Sequence, residues 1–251
     1  MFRSPVRVRT AVVAALLCAW SAVGAAGPRD EDLFIRPEDQ HAVLFGSLDA
    51  GRSVFVTGGA KQSLTGPLDR SGFLLMESTG FGLTPERSRN QGIDVPVLRF
   101  THQTSALLGY QWNGDRVHVA AFAGPEVQQE QLTYGGRVYR WSQPRVGARG
   151  QLDLWLHPSP DLLVTNTLIV SSTRTSLWNR ASVGYRVFGS AFVGPEITVY
   201  ATPTYREVRW GGHVTGLAMS VVTLRLSGGW MEDDSHKRGS PYIGVSAWMR
   251  L

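Results

Sequence analysis

From His41 to Leu251, apolar residues recur at every second position and almost never at the helical spacing of about 3.6 residues. Successive side chains of a β-strand point to opposite faces of its sheet, so this alternation predicts strands with one apolar and one polar face. It is clearest between Arg145 and Leu156. The apolar set there is Val146, Ala148, Gly150, Leu152, Leu154 and Leu156, and the alternate set is Arg145, Gly147, Arg149, Gln151, Asp153 and Trp155.

Segments with this alternation are separated by glycine-rich breaks about every ten to fifteen residues, as expected for strands joined by turns. We predict twelve strands, with ten as the alternative because Gly211, Gly212 and Gly216 blur the boundary between the tenth and the eleventh. Even strand numbers are the rule in bacterial membrane barrels. The predicted strands are residues 41–48, 52–60, 71–82, 97–112, 116–129, 144–156, 161–173, 177–188, 191–201, 205–213, 217–230 and 241–251.

A soluble sandwich would also alternate apolar and polar residues, so three further features decide between the two folds. Many of the predicted strands reach ten residues or more, the length of a tilted membrane-crossing strand, whereas about 5–6 residues is usual in globular proteins. Tryptophan and tyrosine lie near predicted strand ends, where membrane barrels carry aromatic girdles. These residues are Trp112, Trp155, Trp178, Trp210, Trp230 and Tyr242.

The third feature is the alternation of short and long connections along the chain. Outer-membrane barrels have short periplasmic turns and longer external loops. The sequence therefore predicts an all-β, antiparallel, up-and-down transmembrane β-barrel whose long connections lie outside the cell. The short breaks are residues 113–115, 157–161 and 188–190, and the long ones are 83–96, 132–142 and 231–241.

The first residues have the pattern of a cleaved secretion signal. Three arginines precede the apolar stretch from Ala11 to Trp20, and a run of small residues ends at Ala26. The apolar stretch is shorter than the roughly 20 residues that a spanning helix needs. We expect a signal peptide at 1–26, a polar periplasmic lead-in at 27–40 and an outer-membrane barrel at 41–251. Because Cys18 lies in the signal, the mature chain would contain no disulfide and no thiolate metal site.

The charge of the chain gives little support to nucleic-acid binding. The formal charge of +5 falls to +2 without the three arginines of the predicted signal peptide. The remaining lysines and arginines are spread through the chain instead of forming a basic patch.

A short motif, F-x-G-P-E, occurs twice and places Glu126 and Glu196 on the polar side of two strands. Its glycines and prolines, Gly124-Pro125 and Gly194-Pro195, predict a bulge at each motif. The glutamates are either a substrate-facing pair or, as we favour, partners of lumenal arginines in a packed interior; a narrow polar passage is the alternative. The candidate lumenal charge network is Glu126, Arg145, Arg149, Asp153, Arg180, Arg186, Glu196 and Arg225.

No arrangement of residues predicts catalysis, a cofactor or a metal site. The six histidines are scattered without a metal-ligand spacing. His102 and Ser105 could serve a lipid-modifying hydrolase, but residues three apart on a strand point to opposite faces. We therefore expect a protein without enzymatic activity.

The chain resembles the cellulose biosynthesis protein S family, which occurs in bacterial cellulose gene clusters. The residues that carry the resemblance are Asp69 to Leu75, Leu107 to Gln111, Val146 to Gln151 with Leu154, Trp155 and Pro158, Gly184 to Arg186 and Val193 to Glu196. The resemblance implies an outer-membrane accessory to cellulose production and brings no catalytic residue with it.

On this basis we expect a barrel that assists the export, anchoring or assembly of a β-glucan. Its partners would be outer-membrane lipid and cellulose or other cellulose-synthesis subunits. Tyr134, Tyr139 and Trp141 are candidate sugar contacts, because aromatic rings suit the apolar faces of glucose, although anchoring at the membrane interface would explain them equally well. The alternatives are a general channel for small solutes and a lipid-modifying enzyme.

Overall fold

The computed structural model describes residues 40–90, 93–135, 137–236 and 238–251. The predicted signal peptide at 1–26 and the predicted lead-in, apart from Gln40, lie outside these ranges. In the described ranges, no helix is long and apolar enough to cross a membrane. The strands are β1 (Ala42–Ala50), β2 (Val54–Ser63), β3 (Gly72–Asn90), β4 (Ile93–Asn113), β5 (Val117–Tyr134), β6 (Arg137–Trp141), β7 (Arg145–Ser159), β8 (Leu162–Ser171), β9 (Ser176–Phe188), β10 (Ala191–Thr202), β11 (Tyr205–Met219), β12 (Val222–Asp233) and β13 (Ser240–Arg250).

Twelve of these strands form one closed antiparallel barrel. Each pairs with its neighbours in the chain, β4 pairs directly with β5, and β13 pairs back onto β1 with Val43 opposite Arg250. The remaining strand, β6, is a short arm that pairs only with the end of β5. Closure leaves no open sheet edge, which a strand protein in lipid requires. The predicted up-and-down barrel of twelve strands is confirmed.

The barrel has two rims, which we call proximal and distal. The proximal rim is where β1 begins and β13 ends, and it carries tight turns such as residues 160–161 and 189–190. The distal rim carries the longest excursions, including the β3–β4 hairpin and the β6 arm. The three predicted long connections therefore all lie at one rim.

The predicted loop at 83–96 is wrong, because β3 and β4 continue through it as a paired hairpin up to Asn90 opposite Ile93. The predicted break at 214–216 is also wrong. The strands turn instead at residues 220–221, and Gly216 lies inside β11 at a register shift between Thr215 and Leu217. A φ of +87° at Gly216 explains why glycine occurs there. It marks a bulge at the position where we predicted a strand end.

The predicted bulge at the first F-x-G-P-E motif is wrong, whereas the second motif begins at a register shift of β10 against β9, between Ala191 and Phe192. The register of β5 against β7 runs unbroken through Pro125, and that of β10 against β11 runs unbroken through Pro195. The glycines serve close strand approach, since a Cβ on Gly124 would overlap the carbonyl oxygen of Ala106, and one on Gly194 that of Val183.

The two alternating sets of residues seen in the sequence form the outer and the inner face of the barrel. The apolar set of β7 points outward, with Val146 76% exposed, while Arg149 of the same strand contacts Glu126 inside the barrel. The predicted girdle holds only in part. Trp112, Trp210 and Trp230 are exposed on the outer face, whereas Trp155, Trp178 and Tyr242 share the inward positions of their strands.

Candidate functional site

The interior towards the proximal rim is filled by side chains. An apolar cluster from β3, β4 and β5 contains Leu74 and Leu107, both 0% exposed. Inward side chains of an open channel would be wetted, so these exposures indicate packing. The cluster consists of Leu74, Met76, Leu107, Ala120 and Phe122, with Phe45 and Leu68 packed against it.

Two contacts reach across the barrel and complete this floor. The rings of Trp155 on β7 and Trp248 on β13 meet edge to face with centroids 5.9 Å apart, although the two strands are six apart on the ring of twelve and so lie opposite each other. Arg225 on β12 donates from Nη1 to the hydroxyl of Thr165 on β8 at 3.3 Å, four strands away. Because these two contacts extend across the interior, little open space remains in the lumen where they lie.

The second motif glutamate, Glu196, lies in this floor. It is 4% exposed and accepts a hydrogen bond from Nε of Arg225 at 3.2 Å and another from Nη2. Thr165, the further partner of Arg225, is itself hydrogen-bonded to Ser182 at 2.7 Å. A buried carboxylate and guanidinium in such contact neutralise each other, and this leaves no free charge for chemistry.

The first motif glutamate, Glu126, holds a second cluster nearer the distal rim. It is 1% exposed and forms an ion pair with Arg149 at 3.6 Å. The hydroxyl of Thr173 donates to Oε1 at 2.7 Å, and Ser171 and Gln103 donate to the same carboxylate. Together these contacts satisfy the hydrogen-bonding capacity of the carboxylate. Glu126 therefore has a structural role, in which it connects β4, β5, β7 and the β8–β9 turn.

A third group, which the sequence reading missed, continues this wall towards the distal rim. Arg99 pairs with Glu86 at 2.7 Å and with Glu130 at 3.2 Å, and Glu130 also pairs with Arg174 at 3.1 Å. Glu86 and Arg174 lie in or beside segments predicted as connections. The sequence did contain an indication of this group, because Arg99 and Glu130 occupy every-second positions that continue the inward-facing sets of β4 and β5.

Two residues of the predicted charge network, Arg145 and Arg186, lie apart from these clusters. Arg186 is exposed at the proximal rim, where it pairs with Asp161 at 3.6 Å. Arg145 is exposed at the distal end of β7. Asp153 is joined to the Glu126 cluster, because Gln151 accepts a hydrogen bond from Arg149 at 3.1 Å and donates one to Asp153 at 3.0 Å. The guanidinium of Arg180 lies 5.1 Å from the ring centroid of Trp178.

The predicted sugar contacts lie at the distal rim. Tyr134 ends β5 and is 54% exposed, and Trp141 ends β6 and is 59% exposed. Tyr139 is part of β6, but its side chain lies outside what the structure describes. The two described rings are available to a partner beyond the rim.

A group of aromatic and charged residues lines the distal interior on β9, β10, β11 and β13. Trp178 is directly opposite Tyr200 in the register, and Tyr200 lies 6.1 Å from Tyr205. Glu207 accepts a hydrogen bond from the Tyr205 hydroxyl at 2.8 Å and one from Nε of Arg209 at 2.6 Å. We call this group the distal vestibule: Trp178, Arg180, Tyr200, Tyr205, Glu207, Arg209 and Tyr242.

The histidines and acidic residues of the described ranges do not form a metal site. No group of three or more histidines, cysteines, aspartates or glutamates among them could hold a metal ion. His102 is exposed on the outer face, stacked on Phe81 at 4.8 Å, while Ser105 is buried inside and hydrogen-bonded to Ser78 at 2.9 Å. The strand separates the two groups that a hydrolase would have to combine.

Comparison with known proteins gives one family. A family model described as cellulose biosynthesis protein BcsS matches residues 43–251, which is nearly the whole barrel. No curated protein matches the chain.

Solved structures with similar folds are membrane barrels of several kinds. The KdgM porin gives a TM-score of 0.49 at 8% identity over 83% of this chain and 99% of that chain. The translocator domain of the autotransporter NalP from Neisseria meningitidis gives 0.48 at 11% identity over 97% and 98%. The CymD monoaromatic hydrocarbon channel gives 0.47 at 6% identity over 90% and 94%. Because these TM-scores are below 0.5, the barrel fold of this chain is established by its own strand pairing and not by these similarities.

Proposed function

The chain belongs to the cellulose biosynthesis protein BcsS family, and from this premise we propose that it is a non-enzymatic outer-membrane barrel that anchors a β-glucan at the cell surface. The proximal rim faces the periplasm and the distal rim faces outward. Short turns on the periplasmic side and long connections outside are the rule for such barrels.

The filled proximal interior is the observation that carries this proposal. A conduit for a polymer would need a continuous path, but Leu74, Leu107 and the Trp155–Trp248 contact occupy the lumen. A barrel with a filled lumen can still hold the loops and the vestibule of its distal rim in a defined position at the membrane surface. The protein therefore acts on the polysaccharide after it has reached the cell surface.

The absence of enzymatic activity is supported by the state of the buried charges. Glu126 is saturated by Arg149 and three hydrogen-bond donors, and Glu196 is bound by Arg225. A general acid or base needs a carboxyl that can exchange its proton with substrate. Neither motif glutamate meets that requirement.

The proposal is tested by deleting the gene in its native host and measuring cellulose that remains attached to cells after washing, together with total cellulose. We expect attached cellulose to fall while total synthesis continues, and a plasmid copy to restore attachment. Unchanged attachment in the deletion strain would reject the anchoring role. A complete loss of synthesis would instead place the protein earlier, in production of the polymer.

A further inference from the structure

We infer that the distal vestibule is a binding site for a neutral β-linked glucan, which enters from the cell exterior and ends on the floor of the barrel. This inference rests on the proposed function, because the polymer class comes from the family, and it adds the place and the residues. None of the predicted site residues except Arg180 belongs to this group.

The aromatic residues of the vestibule form a platform of the kind that sugars bind. Trp178 and Tyr200 are cross-strand neighbours on the inner face, and Tyr205 continues the row at 6.1 Å from Tyr200. In a β-1,4-glucan all hydroxyls are equatorial, so both faces of each glucose ring are apolar and stack on aromatic rings. Arg180 lies over the Trp178 ring at 5.1 Å and so holds the indole from one side.

Polar groups beside these aromatic rings can both donate hydrogen bonds to sugar hydroxyls and accept hydrogen bonds from them. Glu207 provides an acceptor and Arg209 provides donors, and Arg209 is also within 3.5 Å of Asp49 on β1. Charged groups that already contact each other stay fixed in position, which suits them to orienting a ligand.

Tyr242 gives an independent indication of a ligand. It is 6% exposed, it lies on the inner face of β13 with its ring 5.6 Å from the Arg209 guanidinium, and its buried hydroxyl has no hydrogen-bond partner within the described residues. The buried hydroxyl of Ser240, two residues away, also lacks one there. Native proteins rarely leave buried hydroxyls unsatisfied. A sugar hydroxyl would satisfy them.

The charge balance of the interior favours a neutral polymer over an anionic one. On the vestibule side, three arginines are matched by three acidic residues: Arg52 pairs with Asp233 at 2.9 Å, Arg209 pairs with Glu207 and Asp49, and Arg180 is the third arginine. On the facing wall, three arginines pair with three glutamates. A site for an anionic polysaccharide would carry an excess of arginine, because each bound acid needs a cation. The members of the facing wall are Arg99, Arg149, Arg174, Glu86, Glu126 and Glu130.

The test is binding of cellohexaose to the purified full-length barrel in detergent micelles, followed by calorimetry and by tryptophan fluorescence. We expect wild type to bind cellohexaose in preference to maltohexaose, because the α-linked chain of maltohexaose curves and cannot follow an extended row of aromatic rings. Trp178→Ala and Tyr200→Ala should each weaken binding by at least about tenfold, the effect of losing one stacking ring and its burial. Tyr242→Phe, which removes only a hydroxyl, should weaken it by about fivefold.

Trp210→Ala is the matched control, because Trp210 is a tryptophan of β11 that is exposed on the outer face. The inference is overturned if wild type does not bind cellohexaose, or if Trp178→Ala binds as wild type does while remaining folded by heat-dependent gel mobility. Loss of binding in Trp210→Ala equal to that in Trp178→Ala would also overturn it. A binding failure together with reduced cellulose attachment in the deletion strain would reject the vestibule and leave the anchoring role standing.

Discussion

At the scale of single residues, the buried charges inside the barrel bear on stability. Glu196 and Arg225 are both nearly inaccessible to water and are bound to each other. Removing one member of such a pair leaves an unpaired charge in a medium that solvates it poorly. Breaking this pair is therefore expected to lower the free energy of unfolding far more than breaking an ion pair at the rim.

We predict that Glu196→Gln destabilises the barrel by about 3–5 kcal/mol, the usual cost of breaking a buried pair. Urea unfolding in phospholipid vesicles measures this. The double variant Glu196→Gln with Arg225→Met should recover most of the loss, since no charge is then stranded. An unfolding curve for Glu196→Gln that coincides with wild type would show that the pair contributes nothing.

Glu77 is a residue at which the outer face departs from its apolar pattern. It is exposed on β3, where Phe73 and Leu75 lie outward on one side and Thr79 and then Phe81 on the other, so apolar residues flank a polar stretch of two outward residues. A carboxyl that faces lipid away from the interfaces is unfavourable, though less so than lysine or arginine.

We predict that Glu77→Leu raises the free energy of unfolding in vesicles by about 1–2 kcal/mol. Glu232→Leu is the control, because Glu232 is exposed near the distal end of β12, where the cost of a charge is small. A destabilised Glu77→Leu would instead mean that the carboxyl has a partner in the membrane.

At the scale of elements, the alternation of side chains predicted the twelve barrel strands and which set of residues on each strand faces the interior, but it did not predict β6. It did not predict how far the distal hairpin extends, because residues 83–96 contain Pro85, Pro96 and several charged residues, a composition typical of a loop. It also missed the bulge at Gly216, since a glycine within a strand and one in a turn look alike in sequence.

The β6 arm is an element that the barrel does not need for closure. It pairs only with the end of β5, while β5 and β7 pair directly from Val117 to Gln128. We predict that deleting residues 137–141 leaves the unfolding free energy within about 0.5 kcal/mol of wild type, as for other peripheral changes. Under the anchoring proposal, cells carrying the deletion retain less cellulose because Trp141 is lost. Failure of the shortened chain to fold would show that the arm belongs to the barrel structure.

At the scale of the whole molecule, the sequence predicted a barrel and favoured a packed lumen over a narrow passage, but it did not predict which contacts fill the lumen. That outcome depends on contacts between strands far apart in the chain. Trp155 and Trp248 meet only because β7 and β13 come to lie opposite each other when the sheet closes. The same holds for Arg225 and Thr165. The vestibule was missed for the same reason, since its residues come from four strands.

The lumen of this barrel is filled by its own side chains, and single-channel recording in planar bilayers can show whether ions pass through it. We predict no conductance steps for the wild-type protein. The variant Trp155→Gly with Trp248→Gly and Phe122→Ala, which empties the floor, should produce them. Stable, uniform conductance steps from the wild-type barrel would contradict the account.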